Sequence, residues 1–160
     1  MDAAEHAAHR AAITAGLRET TGINEAMIEC VVHEFYARVR QDPFIGPVFE
    51  ARIHDWEAHY DQMCAFWSSV TLQTGIYSGR PMPKHAVLPV DAKHFDRWLQ
   101  LFGETVDDLC PPRAARHFMD RAQMIAKSLE GGVAMAAGRT LRNGERYQAS
   151  APAVLETQVA

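Results

Sequence analysis

Between positions 36 and 98 the chain carries the phenol of Tyr36, the imidazoles of His59 and His85, the indoles of Trp67 and Trp98, and the ring of Phe49. A neutral imidazole is a strong donor to iron, phenol and indole N–H or O–H groups stabilise a partly charged ligand, and aromatic rings exclude water. Converging on one apolar pocket, these types would make a haem site. His85 is the candidate iron ligand: it stands between Pro83 and Pro89, on a stretch too broken for a long helix. There an imidazole can approach the iron without a helix backbone colliding with the porphyrin. Tyr36, His59 and Trp98 are candidate donors to a bound diatomic ligand, and Phe35, Phe49, Met63 and Phe66 could line the wall. Taken singly, each has a plainer reading. A buried Trp or Tyr is ordinarily core, a histidine on an apolar helical face ordinarily makes one structural hydrogen bond, and His85 could be a loop residue. His94 is a second candidate ligand, placed below His85 because the helical pattern sets it beside Phe95.

The elements that must position these groups are helical. Ile23, Met27, Val31, Phe35 and Val39 recur every four residues with Ile28, Val32 and Tyr36 alongside, which predicts a helix ended near Asp42-Pro43. PFIGPVF reads as a compact corner that turns Phe49 inward. A second helix is expected over 55–72, with Trp56, His59, Met63, Phe66, Trp67 and Val70 on its inner face. A third starts at Asp91 and runs through Phe95, Trp98, Phe102 and Val106, and a fourth opens at Pro111-Pro112 and stops at Gly131-Gly132. The segment from Gly75 to Pro89 leaves room for about one turn around His85. No strand pattern or internal repeat is evident.

Composition bounds the rest. A chain of 160 residues with 48% hydrophobic content supports one domain with a real core. A net charge of −4 without a dense Lys/Arg run argues against nucleic acid as a partner. Cys30, Cys64 and Cys110 form no C-x-x-C or C-x-x-C-H motif, so neither a disulfide framework nor covalent haem attachment is signalled, and a reducing cytoplasm fits. No apolar run is long enough for a membrane span or signal peptide. The expected division is an Ala-rich extension over 1–21, a helical domain over 22–132 and a flexible tail over 133–160.

Read jointly, HEFYARVRQDPFIGPVF, DWEAHYDQMCAFWSSV, YSGRPMPKHAVLP, HFDRWLQLF and RAQMIAKSL resemble the truncated haemoglobins, most nearly their group III. The resemblance runs from Ile23 to about Leu129 and implies an all-α, two-over-two helical sandwich around noncovalent haem b. It implies His85 as the proximal iron ligand and Tyr36, His59 and Trp98 as distal donors. Phe35, Phe49, Met63, Phe66, Trp67, Leu88 and Trp98 would be the residues around the cofactor, with Lys84 and Arg52 as candidates for its propionates. Expected ligands are oxygen, nitric oxide or carbon monoxide, with nitric oxide dioxygenase or peroxidase-like chemistry served by a reductase. The alternative is a cofactor-free helical domain that binds a protein partner, with the aromatics as core. A di-iron carboxylate bundle is weaker, since Asp91-x-x-His94 has the wrong acid and no second copy.

Overall fold

In the computed structural model, which describes residues 1–149, all regular structure is helical, with no strand among the described residues. The order is α1 (Ala3–Thr21), α2 (Glu25–Gln41), α3 (Gly46–Glu50), α4 (Trp56–Leu72), α5 (Pro81–His85), α6 (Ala92–Leu109) and α7 (Pro112–Ala136). The long helices start at side chains that satisfy amides a helix N-terminus leaves unpaired. Asn24 accepts from the Met27 amide at 2.9 Å, Asp55 from Ala58 at 3.1 Å, and Asp91 from Lys93 at 3.1 Å. Pro112 occupies the first turn of α7, where its missing N–H costs nothing.

Packing follows from the apolar faces. α2 lies against both α4 and α6, and α6 against α7, so the α2/α4 pair covers the α6/α7 pair in a two-over-two sandwich. Val31 and Val39 of α2, Phe102 and Val106 of α6 and Phe118 of α7 are wholly buried, each contributing about 1.5–3 kcal/mol over an exposed position. The corner after α2 is fixed by Asp42, which accepts from Ile45 N at 2.9 Å and Phe44 N at 3.1 Å and pairs with Arg97 of α6 at 2.7 Å. Gly46 makes the corner possible. A Cβ there would stand 2.7 Å from the Val39 carbonyl oxygen, so a larger residue would push α3, and Phe49 with it, off α2.

The ends depart from expectation. Residues 3–21 form a continuous helix, not a frayed extension, because Asp2 and Glu5 cap each other's backbone amides at 2.8 Å. Its first ten residues are exposed, while Thr14 Oγ1 donates to the Leu72 carbonyl at 2.7 Å and Leu17 packs on the core. At the other end Gly131-Gly132 does not stop α7, which continues to Ala136. Gly132 instead admits the Met82 thioether of α5, which a side chain would displace. The tail expected to be loose from 133 is seated as far as it is described. Val133, Ala134 and Tyr147 are buried, and the Tyr147 carbonyl accepts from Ala92 N at 2.8 Å. A few specific contacts here offset an ordering entropy that composition alone suggested was too large. Residues 150–160, which the same expectation covered, lie outside the described residues.

Deleting residues 1–12 removes only exposed helix and should leave the melting temperature of the folded protein unchanged by calorimetry, with a proportionate loss of helicity. Deleting through Thr21 removes Leu17 and the Thr14 anchor and should cost about 1–3 kcal/mol in urea unfolding. Equal effects of the two deletions would show that the exposed turns carry stability.

Candidate functional site

Between the helix pairs lies a cavity of about 610 Å3 with a mostly apolar lining. Every layer of the fold contributes to it. α2 supplies Tyr36; the α3 corner supplies Ile45, Val48 and Phe49; α4 supplies His59, Met63, Phe66 and Trp67. α5 and the segment after it supply His85 and Leu88, α6 supplies Phe95 and Trp98, and α7 supplies Ile125 and Leu129. Thus Tyr36, Phe49, His59, Met63, Phe66, Trp67, His85, Leu88 and Trp98 share one cavity. Phe35 does not line it. It stands one layer behind, edge-on to Tyr36 at 5.0 Å, Trp98 at 5.5 Å and Phe102 at 5.3 Å, because the residue before an inward Tyr36 points to the neighbouring row of the same helix.

The two central histidines differ in their hydrogen bonding. His85 ends the single turn α5, as its flanking prolines suggested, and its Nδ1 lies 2.7 Å from the Pro81 carbonyl. A carbonyl only accepts, so Nδ1 is the donor in this bond, and Nε2 is the nitrogen left without a protein partner among the described residues. His59 has no such partner: its Nε2 is buried with no hydrogen bond. Burial, followed by the nearby charges of His85 and Lys84, lowers its pKa from 6.5 to about 4, so the ring is neutral at pH 7. Its ring meets Tyr36 edge-on at 4.8 Å. Burial, and then the charge of Tyr60, pushes the Tyr36 hydroxyl well above the usual phenol range, leaving it a donor at any physiological pH.

Aromatic stacking sets the opposite wall. Phe102 lies parallel to Trp98 at 5.5 Å and to Trp67 at 4.7 Å, so a buried ring without polar atoms fixes both indoles. His94 also reaches the cavity, stacked on Phe44 at 4.4 Å. Its Nδ1 accepts from Asp91 N at 3.1 Å in a capping box, and that commitment competes with any other use of the ring. Tyr77, packed edge-on against Phe66 at 5.1 Å, lines the cavity as well. Sequence reasoning missed it, since it sits on an irregular segment with no periodicity to place it. Arg52 and Lys84 stand at the rim, both exposed.

Comparison with known proteins agrees with this architecture. A family model described as bacterial-like globin matches residues 17–130. The group 3 truncated hemoglobin ctb of Campylobacter jejuni is 33% identical over 113 residues, covering 68% of this chain and 89% of that protein. The crystal structure of the group III truncated hemoglobin from Campylobacter jejuni superposes with a TM-score of 0.63 at 34% identity, over 68% of this chain and 89% of the other. No helix among the described residues is long and apolar enough to cross a membrane. With the helix sandwich, the cavity and these matches in agreement, the chain belongs to the bacterial-like globins, among the truncated haemoglobins of group III, a family that binds haem.

Proposed function

We propose that this globin holds noncovalent haem b through His85 and uses Tyr36, His59 and Trp98 to retain a diatomic ligand, of which oxygen, nitric oxide and carbon monoxide are the candidates. When bound, the haem supplies an iron that takes the diatomic ligand and exchanges electrons. The observation that carries the reading is the buried Nε2 of His59, without a partner in a cavity whose other histidine keeps its own Nε2 free. An unpaired buried polar atom costs about 1–3 kcal/mol unless something meets it. A flat apolar group with a polar ligand on one face fits that requirement, and the lining fits the group: Phe49, Met63, Phe66, Leu88 and Trp98 face the cavity with Trp67. Arg52 and Lys84 have no carboxylate partner among the described residues and suit the cofactor's own carboxylates.

Donors aimed at a partly negative ligand slow its release, which suits chemistry on the ligand better than carriage. Nitric oxide dioxygenation and peroxide reduction are the two reactions this favours. Both consume reducing equivalents, which a reductase would supply. The free thiols of Cys30, Cys64 and Cys110 suit a reducing cytoplasm.

Removing the imidazole tests the ligand. His85→Gly should lose most haem affinity and the native Soret band, with added imidazole restoring an axial bond. An unchanged spectrum in that variant, together with haem loss in His94→Gly, would overturn the assignment.

The donors are tested by stopped-flow release. Tyr36→Phe and Trp98→Phe should each speed oxygen dissociation roughly tenfold, since a hydrogen bond to a charged group contributes about 1.5–3 kcal/mol. Carbon monoxide release should change much less, and the double variant should be non-additive because both donors share one ligand. Unchanged rates in both single variants would assign these aromatics to the core alone.

His59 gives a pH signature in the haem-free protein. Its lowered pKa means the unfolded chain takes up a proton first, so the His59 contribution is complete above 6.5 and is lost as pH falls toward about 4. Compared with His59→Leu, the wild type should lose up to about 1.4 kcal/mol per pH unit across that window in urea unfolding. Parallel profiles for the two proteins would show His59 solvated like a surface histidine.

A further inference from the structure

The wall formed by α6 and α7 is backed by a segment that follows the matched globin residues, and one guanidinium dominates the contact. Arg146 Nε lies 3.1 Å and 3.0 Å from the two carboxylate oxygens of Glu130, and its Nη2 lies 2.8 Å from Glu130, 2.7 Å from Asp96 and 3.3 Å from the Ala92 carbonyl. Glu130 belongs to α7, while Asp96 and Ala92 belong to α6, so Arg146 clamps two helices that share no ion pair of their own among the described residues. Position makes the clamp functional. Glu130 follows Leu129 and Asp96 follows Phe95, and both of those apolar residues face the cavity.

The ion pair differs from an ordinary surface bridge. The Glu130 side chain is only 6% exposed although Arg146 is 47% exposed, so a buried carboxylate depends on this partner, whereas exposed pairs contribute little. The next residue adds an apolar layer. Tyr147 is buried with Val90, Phe95 and Ala126, three residues that also line the cavity. Backbone pairing completes the seat: the Tyr147 carbonyl accepts from Ala92 N at 2.8 Å, and Ala149 N donates to Asp91 at 3.2 Å.

We infer that Arg146 is a positioning residue for the cofactor wall, holding α6 and α7 at the separation that keeps Phe95 and Leu129 against a bound haem. The inference rests on the haem reading above. It acts through the helices, since Arg146 itself does not reach the cavity. A guanidinium is required because its planar fork serves both carboxylates at once, which an ammonium cannot do with the same geometry.

The test uses the full-length holoprotein, reading haem transfer to an excess of an acceptor globin and the iron–histidine stretching band of the reduced, ligand-free form. Arg146→Met should release haem about tenfold faster or more, with the band shifted or broadened, and Arg146→Lys should fall between. Release and band both at wild-type values would overturn the inference. So would faster release with an unchanged band and a melting temperature lowered in step, which would mark a general staple only. If Arg146→Met does not fold, Asp96→Asn keeps the Glu130 pair and should show the same two changes in smaller measure; wild-type values there also overturn it. A wild type that takes up no haem defeats the haem reading instead. The clamp is then read in the haem-free chain by hydrogen exchange, where faster exchange at Phe95–Trp98 in Arg146→Met supports it and unchanged exchange does not.

Discussion

A cavity of about 610 Å3 between two helix pairs is the constraint on the rest of the fold, because interiors otherwise pack densely. Helices around such a space tend to close on it, so what keeps them apart must lie outside the void. Three contacts do this. Phe102 stacks on Trp67 and Trp98 and holds the α4 and α6 walls in register. Asp42 ties the corner that carries Phe49 to Arg97 of α6, and Arg146 ties α6 to α7. A planar ligand that returns the missing contacts stabilises the folded state by mass action, so loading and folding are linked through the same walls.

The cavity histidines show how identical side chains are given different work by their backbones. His85 has a carbonyl one turn back within 2.7 Å of Nδ1, which fixes the tautomer and leaves Nε2 available. His59 lies within α4, whose peptide groups are satisfied along the helix, and nothing polar reaches its Nε2. His94 spends its Nδ1 on the N-terminus of α6. Turning that ring toward another partner would give up part of a capping box, typically about 1 kcal/mol. His85 thus uses Nδ1 as a donor to a carbonyl, whereas His94 spends the same atom as an acceptor for a helix amide.

The four long helices after Gly22 were legible because three- and four-residue spacing, Asp91 as a cap and the prolines at 111–112 marked them, while the caps at Asn24 and Asp55 were added by the structure. The cavity residues were legible mainly jointly, through the resemblance, since Trp67 or Phe49 alone reads as core. Phe35 was misplaced by one row: periodicity fixes the face of a helix but not which of two adjacent inward rows meets a void. Composition misled at both ends. An Ala-rich stretch shows no apolar stripe, yet α1 docks through Leu17 and Thr14, and the cap at Asp2 only extends its exposed turns. The region after Gly132 is poor in large apolar residues, but Glu130, Asp96 and Arg146 make a long-range charge cluster that no local pattern displays. Gly131-Gly132 looked like a stop because glycine so often follows a helix. At Gly132 it serves a close approach, giving Met82 its seat.

That seat bears on how the site is assembled. α5 buries none of its five residues, is flanked by proline and glycine, and meets the core through α7, where Met82 lies against Gly132. Tyr36, His59 and Trp98 sit on long helices rooted in the interior. Segments with few buried contacts open locally at low free energy while core helices open only near global unfolding. The donor side of the cavity is therefore set by the fold before any ligand arrives. On the His85 side the ring orientation is preset by Pro81, while the arm that carries it is held mainly through Met82 against α7. If His85 is the ligand, a preset ring on an arm with few buried contacts would let a planar group enter without the helical core opening.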